Sequence, residues 1–329
     1  MRLDRRFFLQ TIGGAAASAL TNCAGPQAAP EVPDPARAFV PYVVGANTAI
    51  TGWDFFDAVK LLADIGFRSI EIQNLIGTLG ATEGEFPGLV YDKISDDDKA
   101  RILEALKPFD HVTVHLPYPA DMNYIAPEAD DAIARLKVSL DAAEFLGAKL
   151  AVLHPQPSGA DLYADWDVAV NRIREWGSIA EDKGFQIACE TSMPNSVPDL
   201  IRFHDEIAHP NVGVTLDVGH QGRFKELESI APNQRGAPEG IAAYNDLNIR
   251  IVEALGHKLI HLHTHDIEPD TWAEHKPLIH GFIDYPRLIA KLRENRYGGI
   301  LLFEIGGDAD KMPGYLREGK LKMDAYVSA

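Results

Sequence analysis

From residue 41 onward, short apolar runs rich in β-branched residues alternate with longer amphipathic stretches. Eight such runs, nearly all followed by a helical pattern, favour a closed (β/α)₈ barrel over an open doubly wound sheet. An α/β barrel of this length is commonly a single domain, which we place at residues 39–329. The predicted strands are Tyr42–Ala46, Ser69–Ile72, Val112–His115, Leu150–His154, Gln186–Glu190, Val212–Asp217, Leu259–His263 and Ile300–Glu304.

The stretches between these strands have the apolar spacing of amphipathic helices. Two connections, residues 74–95 and 221–240, are long, and we expect them to form lids or binding loops. Glycines that we interpret as helix C-caps precede several strands, at Gly66, Gly147, Gly184 and Gly299. The predicted helices are Phe55–Ile65, Asp97–Leu106, Ala132–Phe145, Trp166–Ala180, Val197–Ile207, Ala242–Leu255 and Tyr285–Leu292.

The N-terminus has the pattern of an export signal rather than of the barrel. Arg5-Arg6 precedes Phe7-Phe8-Leu9 and a Gly/Ala-rich stretch, so we interpret residues 1–22 as a twin-arginine-type signal peptide. Cys23 follows a segment that resembles a lipoprotein cleavage site, and residues 23–38 resemble a flexible tether. We therefore expect export to the periplasm or the outer face of the cell envelope, with membrane contact only through a lipid on Cys23.

Charge and composition limit the classes of ligand that we expect the protein to bind. The formal net charge is −17, which opposes binding to nucleic-acid backbones. No Gly-x-Gly-x-x-Gly sequence follows a predicted strand, so nothing in the sequence supports a dinucleotide site. Cys189 is the only cysteine besides Cys23, and we expect it to be a core residue rather than a nucleophile. These observations favour a small-molecule ligand.

Each of the last six predicted strands ends on an ionisable residue. The carboxyl ends of barrel strands converge on one mouth, where the active sites of such barrels lie. Six ionisable groups gathered there would suffer desolvation and mutual repulsion unless a cation held them, which predicts a divalent metal site. The residues are His115, His154, Glu190, Asp217, His263 and Glu304.

Four short sequences together resemble the xylose-isomerase-like superfamily of sugar isomerases and epimerases. They are Leu-Asp-Val-Gly-His (216–220), His-Leu-His-Thr-His-Asp (261–266), Cys-Glu-Thr (189–191) and Phe-Glu-Ile (303–305). The resemblance covers residues 42–306 and implies one metal ion, bound by Glu190, Asp217, His263 and Glu304. It selects His263 among three alternating histidines, and we expect His261 to lie deeper in the core.

An oxygen-rich site of this kind favours Mn²⁺, with Mg²⁺, Co²⁺ and Zn²⁺ as alternatives. The resemblance implies proton transfer next to a carbonyl of a sugar or polyol, through a cis-enediolate, with Glu190 and Glu304 as the catalytic pair. It also implies that His220 contacts a substrate hydroxyl. The reaction would be an isomerisation or epimerisation, or a lyase reaction on a 3-keto-glycoside or an inosose-type substrate.

Further substrate contacts are predicted around the same mouth. Asp266 has two interpretations, as an acceptor for a ligand histidine or as a cap of the loop after the seventh strand. Trp272 lies in that loop and is a candidate for stacking on a sugar ring. Asn123 and Gln73 are candidates for hydrogen bonds to hydroxyl groups of the substrate. The predicted substrate-binding residues are His115, His154, His220, His275, Asp266 and Trp272.

Two alternatives remain open. The same positions resemble endonuclease IV, a phosphodiesterase branch that binds three zinc ions: His115, His154, His220 and His275 match its histidines. Ala273 replaces its aspartate, and Ile279 replaces a glycine, although Gly281 fits the next one. The loss of that carboxylate and the acidic composition argue against a nuclease. The other alternative is a barrel that binds sugar without catalysis.

Overall fold

A computed structural model describes residues 42–73, 79–80, 85–118, 122–126, 128–278 and 280–329. Its strands are all parallel and close into one barrel, in which the last strand pairs with the first. This confirms the predicted (β/α)₈ fold. The strands are β1 (Val43–Asn47), β2 (Ser69–Gln73), β3 (His111–His115), β4 (Leu150–Leu153), β5 (Gln186–Glu190), β6 (Val212–Asp217), β7 (Leu259–Thr264) and β8 (Ile300–Phe303).

A helix follows each strand, including one after β8 that the sequence pattern did not reveal. That last helix buries only a narrow stripe, and Leu321 within it is 73% exposed, so its apolar spacing is weak. The helices are α1 (Phe55–Ile65), α2 (Asp96–Leu106), α3 (Asp130–Phe145), α4 (Trp166–Lys183), α5 (Val197–Ile207), α6 (Pro238–Leu255), α7 (Tyr285–Glu294) and α8 (Met312–Ser328).

Local capping fixes where the helices begin and end. Ser196 caps α5 by accepting a hydrogen bond from the backbone of Asp199. Gly66 and Gly184 end α1 and α4 in the left-handed conformation, as predicted. The prediction for Gly299 is wrong, because α7 already ends at Glu294, with Asn295 as its C-cap. Gly299 instead lies against the ring of Tyr297, where a Cβ atom would come within 2.6 Å of the hydroxyl oxygen.

Three strands end one residue away from the polar residue at which we predicted their ends. His154 and Glu304 lie just beyond β4 and β8, and β7 continues one residue past His263. The displacement leaves the alternation of faces intact, so these side chains still point into the barrel. Most of the hydrophobic core lies between the sheet and the surrounding helices. The interior of the barrel holds both apolar and polar side chains.

Several predicted features fall outside the described residues. These are the signal peptide and tether at residues 1–38, Cys23, Ile279, and part of the long connection 74–95. The second long connection, residues 221–240, is described and folds mainly into short 3₁₀ turns. None of the helices in the described ranges combines the length and apolar character that a membrane span requires.

Candidate metal centre

Four side chains from neighbouring strands meet at the carboxyl end of the barrel. One atom from each of Glu190, Asp217, His263 and Glu304 lies within 4.8 Å of the corresponding atoms of the other three. Nδ1 of His263 is 2.8 Å from Oε2 of Glu304, 3.5 Å from Oε1 of Glu190 and 3.8 Å from Oδ2 of Asp217. The structure thus brings together the four residues predicted as metal ligands.

The donor set fits a divalent cation. The side chains of Asp217 and His263 are fully buried, and that of Glu190 is 1% exposed. Although Nδ1 of His263 is close to three carboxylates, none of these contacts has hydrogen-bond geometry, and the buried nitrogen has no hydrogen-bond partner in the part of the chain that the structure describes. Three carboxylates around an unpartnered imidazole nitrogen form a hard, oxygen-rich site of the kind that binds Mn²⁺, Mg²⁺ or Co²⁺.

The carboxylates are held ionised by the imidazoles around them. Burial alone would raise the pKa of Glu190, but the neighbouring His154 and His263 outweigh it and hold the pKa well below its ordinary value. Burial also opposes ionisation of Glu304, and His263 again lowers the pKa overall. For Asp217, the imidazoles of His220 and His265 overcome burial in the same way. All three groups are therefore acceptors at neutral pH.

The Leu-Asp-Val-Gly-His sequence explains how Asp217 is oriented. Its Oδ1 accepts hydrogen bonds from the backbone N–H groups of Gly219 (2.7 Å) and His220 (3.1 Å). His265 Nε2 lies 3.0 Å from the same oxygen. Gly219 is required here because a Cβ atom would come within 2.1 Å of the His265 ring. These contacts leave Oδ2 on the side of His263.

His115 and His154 flank Glu190 on its other oxygen. Their Nε2 atoms lie 3.3 Å and 3.1 Å from Oε2 of Glu190. Nδ1 of His115 lies 2.9 Å from the carbonyl oxygen of Leu116, which can only accept a hydrogen bond, so this nitrogen carries a proton. Burial lowers the pKa of His115, but Glu190 more than compensates and raises it to about 9. The three side chains form a second group able to hold a cation.

A third group joins His220, His275 and Glu274. Nδ1 of His220 donates to the carbonyl of Thr191 (2.8 Å), and Nδ1 of His275 donates to that of Glu304 (2.9 Å), so Nε2 is in each case the nitrogen left for a ligand. Glu274 Oε2 is 3.9 Å from Nε2 of His220. Glu274 was missed because the family pattern places the carboxylate one residue earlier, at the position that Ala273 occupies.

Asp266 and Trp272 belong to the loop after β7 rather than to this cluster. Oδ1 of Asp266 accepts the backbone N–H groups of Ile267 and Ile283, both at 3.0 Å, which is the loop-capping interpretation. Trp272 is 7% exposed and packs edge-on against Tyr244, with a guanidinium group over its ring. The spacing of polar residues along the chain does not predict how this loop folds back. The path of the loop determines where the side chains of Asp266 and Trp272 lie.

Glu71, in the middle of β2, is a component of the site that the sequence reasoning missed. Its side chain is fully buried, with Oε1 3.1 Å from Nε2 of His263 and Oε2 3.4 Å from Nε2 of His261. His261 is itself buried, one layer below His263, as expected for its position. The available signal was a single charged residue between Ile70 and Ile72, on the inward face of the strand.

The remaining candidates occupy less central positions. Gln73 is 2% exposed, and its buried Oε1 has no hydrogen-bond partner among the described residues. Asn123 uses Oδ1 to accept the backbone N–H of Ile125 at 3.3 Å. Cys189 is buried among apolar side chains, and burial raises the pKa of its thiol, which suits a core residue and not a nucleophile.

The sequence of the chain, compared with known protein families, shows which family it belongs to. Residues 59–324, most of the chain, match the family described as xylose isomerase-like TIM barrel. The chain belongs to this family. None of the curated proteins searched matches the sequence of this xylose isomerase-like barrel.

Solved structures of similar fold include several sugar epimerases. D-psicose 3-epimerase from Clostridium cellulolyticum H10, solved with D-tagatose, is 19% identical, with a TM-score of 0.63 over 87% of this chain and 99% of the epimerase. For L-ribulose 3-epimerase the identity is 13% and the TM-score 0.64, over 87% and 95% of the two chains. For 3-keto-D-glucoside 4-epimerase from E. coli the values are 17% and 0.57, over 85% and 99%. At these identities the likeness establishes a shared fold.

Proposed function

We propose that this xylose isomerase-like barrel is a divalent-metal-dependent isomerase or epimerase of a sugar or sugar-like polyol. The observation that carries the proposal is the placement of two ionised carboxylates, Glu190 and Glu304, beside the same ring nitrogen of His263 in one buried cluster. The names of the structural neighbours, which include 3-epimerases of ketoses, support the same class of reaction. Mn²⁺ is the metal that we expect.

In the proposed mechanism, two carboxylates exchange protons with the substrate. Glu190 and Glu304 extend from β5 and β8, which are separated by two strands, so they approach a bound sugar from different directions. One removes a proton from the carbon next to the carbonyl to give an enediolate, and the other returns a proton to a neighbouring position or to the opposite face. When bound, a divalent cation would polarise the carbonyl and make that C–H bond more acidic.

The surrounding histidines would orient the substrate and keep Glu190 ionised. His220 is 5% exposed and its Nε2 faces Glu274, which suits a hydrogen bond to a substrate hydroxyl. His154 is the most exposed of the histidines around Glu190, with a side chain that is 21% accessible, and so is well placed to meet a ligand at the mouth. His115 and His275 complete the proposed ring of contacts, while Asp266 and Trp272 would act only by shaping the loop.

The test combines metal analysis with isotope exchange. The purified protein, loaded with Mn²⁺, is incubated in D₂O with a panel of free ketoses, 3-keto-glycosides and inosose-type polyols, and deuterium at the carbon next to the carbonyl is measured by NMR. We expect incorporation with at least one compound, and its loss in Glu304→Gln. A Mn²⁺-loaded protein that binds one of these compounds without exchanging deuterium would instead support a sugar-binding barrel. Elimination products from a 3-keto-glycoside would identify a lyase.

A second candidate function is favoured by the two additional histidine–carboxylate groups. His115–His154–Glu190 and His220–Glu274–His275 each have ligand atoms within 4.8 Å of one another, so the mouth has the donors for more than one cation. Several metal ions side by side would favour hydrolysis of a phosphodiester. The net charge of −17 argues against a nucleic-acid substrate. Hydrolysis of bis(p-nitrophenyl) phosphate by the metal-loaded protein, without isotope exchange on any sugar, would favour this function.

We also propose that the enzyme acts outside the cytoplasm, on the evidence of Arg5-Arg6 and of Cys23. The substrates would then be free sugars, oxidised glycosides or polyols rather than phosphorylated sugars. Fractionation of cells that produce the full chain tests this directly. Replacement of both arginines by lysine should retain the protein in the cytoplasm, and an unchanged distribution would contradict the proposal.

A further inference from the structure

The interior of the barrel holds a buried carboxylate directly below the candidate metal centre. Glu71 is fully buried, and His261, His263 and Thr113 lie against its carboxylate. The hydroxyl of Thr113 donates to Oε2 of Glu71 at 2.9 Å. Neither the isomerase mechanism nor the capping of any element uses this residue. An ionised carboxylate in such a position is costly unless its surroundings compensate for it.

Two imidazoles lie against this carboxylate. Oε1 of Glu71 is 3.1 Å from Nε2 of His263, and Oε2 is 3.4 Å from Nε2 of His261. The shorter of the two contacts is to His263, which is also the nitrogen ligand of the proposed metal centre.

The two nitrogens of His263 face two different sets of carboxylates. Nδ1 faces Glu304, Glu190 and Asp217 at the mouth, whereas Nε2 is 3.1 Å from Oε1 of Glu71 in the interior. Within the described residues, neither Nε2 of His263 nor Oε1 of Glu71 has a contact with hydrogen-bond geometry, so their interaction is electrostatic. A neutral imidazole carries one proton, and the negative oxygen of a carboxylate next to Nε2 favours the tautomer with the proton there. The lone pair then lies on Nδ1, directed at the site where a cation would bind.

We infer that Glu71 is a positioning residue for the metal centre: it fixes the tautomer of His263 and adds a negative charge behind the cation site. The inference rests on the metal centre of the proposed function, but not on the identity of the reaction. Its primary effect is on metal affinity, because a carboxylate beside the second ring nitrogen of a ligand histidine raises the basicity of the first.

The test measures Co²⁺ binding to the otherwise intact, sugar-free protein, by absorption titration in competition with a chelator. We expect Glu71→Gln to weaken binding by roughly 10–100-fold, since loss of such a partner of a ligand histidine has effects of that size. Thr113→Val, which replaces the hydroxyl that holds Glu71 with a methyl group, should weaken binding several-fold in the same direction. Ser69→Ala is the matched control, because Ser69 is fully buried on the same strand and the same face.

Circular dichroism establishes that each variant is folded. Affinity of folded Glu71→Gln within twofold of Ser69→Ala would overturn the inference. Should Glu71→Gln not fold, Thr113→Val decides the matter, and an unchanged affinity in that variant would overturn it. A wild-type protein that binds no Co²⁺ would reject the metal centre itself, whereas metal binding without any isotope exchange would reject only the proposed reaction.

Discussion

Nδ1 of His263 lies 2.8 Å from Oε2 of Glu304, and this contact joins two neighbouring strands at the mouth of the barrel. His263 is paired with Leu302 in the register of β7 and β8, so Glu304 lies two residues beyond its partner. Since side chains alternate along a strand, Leu302 and Glu304 point to the same interior face. The Glu304 side chain is 15% exposed, against 1% for Glu190, so Glu304 is the more accessible carboxylate of the proposed pair.

We therefore predict that Glu304→Gln lowers kcat by about 10²–10⁴-fold, the range typical for loss of a general acid or base. The amide keeps the size of the side chain and one oxygen, but it cannot take up the proton. Steady-state kinetics on the substrate found by isotope exchange measures the effect. Glu294→Gln, an exposed carboxyl group on α7, is the control and should leave kcat unchanged. Near-normal turnover in Glu304→Gln would remove this residue from the chemistry.

Metal removal should destabilise the protein as well as inactivate it. Without a cation, the buried carboxylates of Glu190, Asp217 and Glu304 repel one another at short range. At a Mn²⁺ concentration 100 times the Kd, binding to the folded state alone adds about 2.7 kcal/mol to the free energy of unfolding. Thermal melts with EDTA and with added Mn²⁺ should therefore differ in Tm. The difference should shrink strongly in Asp217→Asn, and equal Tm values for the wild type with and without Mn²⁺ would contradict the prediction.

Gly219 should tolerate no side chain. Its backbone conformation, with φ of −102°, is open to any residue, so the constraint is the His265 ring, which lies within 2.1 Å of where a Cβ atom would be. We expect Gly219→Ala to destabilise the fold by about 1–3 kcal/mol, as overpacking of a core does, and to weaken metal binding by displacing Asp217. Urea unfolding and Co²⁺ titration measure the two effects.

Gly222→Ala is the matched control for that substitution. The nearest atom to its added Cβ would be 3.6 Å away, an ordinary van der Waals contact, although Gly222 lies in the same loop. Its stability and metal affinity should stay close to those of the wild type. Equal behaviour of the two variants would show that the glycine at position 219 is not needed for the orientation of Asp217.

These contacts separate what the sequence predicts from what it conceals. The eight strands were predictable because each is a short apolar run. The grouping of Glu190, Asp217, His263 and Glu304 was predictable because each ends a predicted strand and matches a family pattern. The displacement of Glu304 and His154 by one residue did not matter, since the interior face is set by alternation. Because the strand ends of a closed barrel converge, residues at those ends come together at one mouth.

Glu71 and Glu274 were missed for different physical reasons. Glu71 lies inside its strand rather than at the end, and its partners come from β7, which is remote in sequence. Glu274 depends on the path of the loop after β7, where His275 and the tightly packed Trp272 both have positive φ. Neither strand periodicity nor a motif encodes such a path, so the orientation of loop side chains at the mouth required the structure.

The pH dependence of stability should be governed in part by His204, on α5 and away from the metal centre. This side chain is 6% exposed, and within the described ranges its Nε2 has no hydrogen-bond partner. Burial, with a smaller effect of Lys258, lowers its pKa to about 3, while Asp205 acts weakly in the opposite direction. The unfolded chain takes up a proton at its ordinary pKa of about 6.5, whereas the folded protein stays neutral at this position.

Stability therefore falls as the pH decreases from about 6.5 towards 3, because the unfolded state binds the additional proton in that window. Between pH 7 and pH 5 the expected loss from this one group is about 2 kcal/mol. We predict that His204→Leu, which cannot titrate, loses correspondingly less stability over the same interval. Urea unfolding of both proteins in EDTA, at pH 7 and pH 5, measures the difference without interference from metal binding. If both proteins lose the same free energy of unfolding between pH 7 and pH 5, His204 takes up its proton equally well in the folded and unfolded states. The assignment of a buried neutral imidazole would then be wrong.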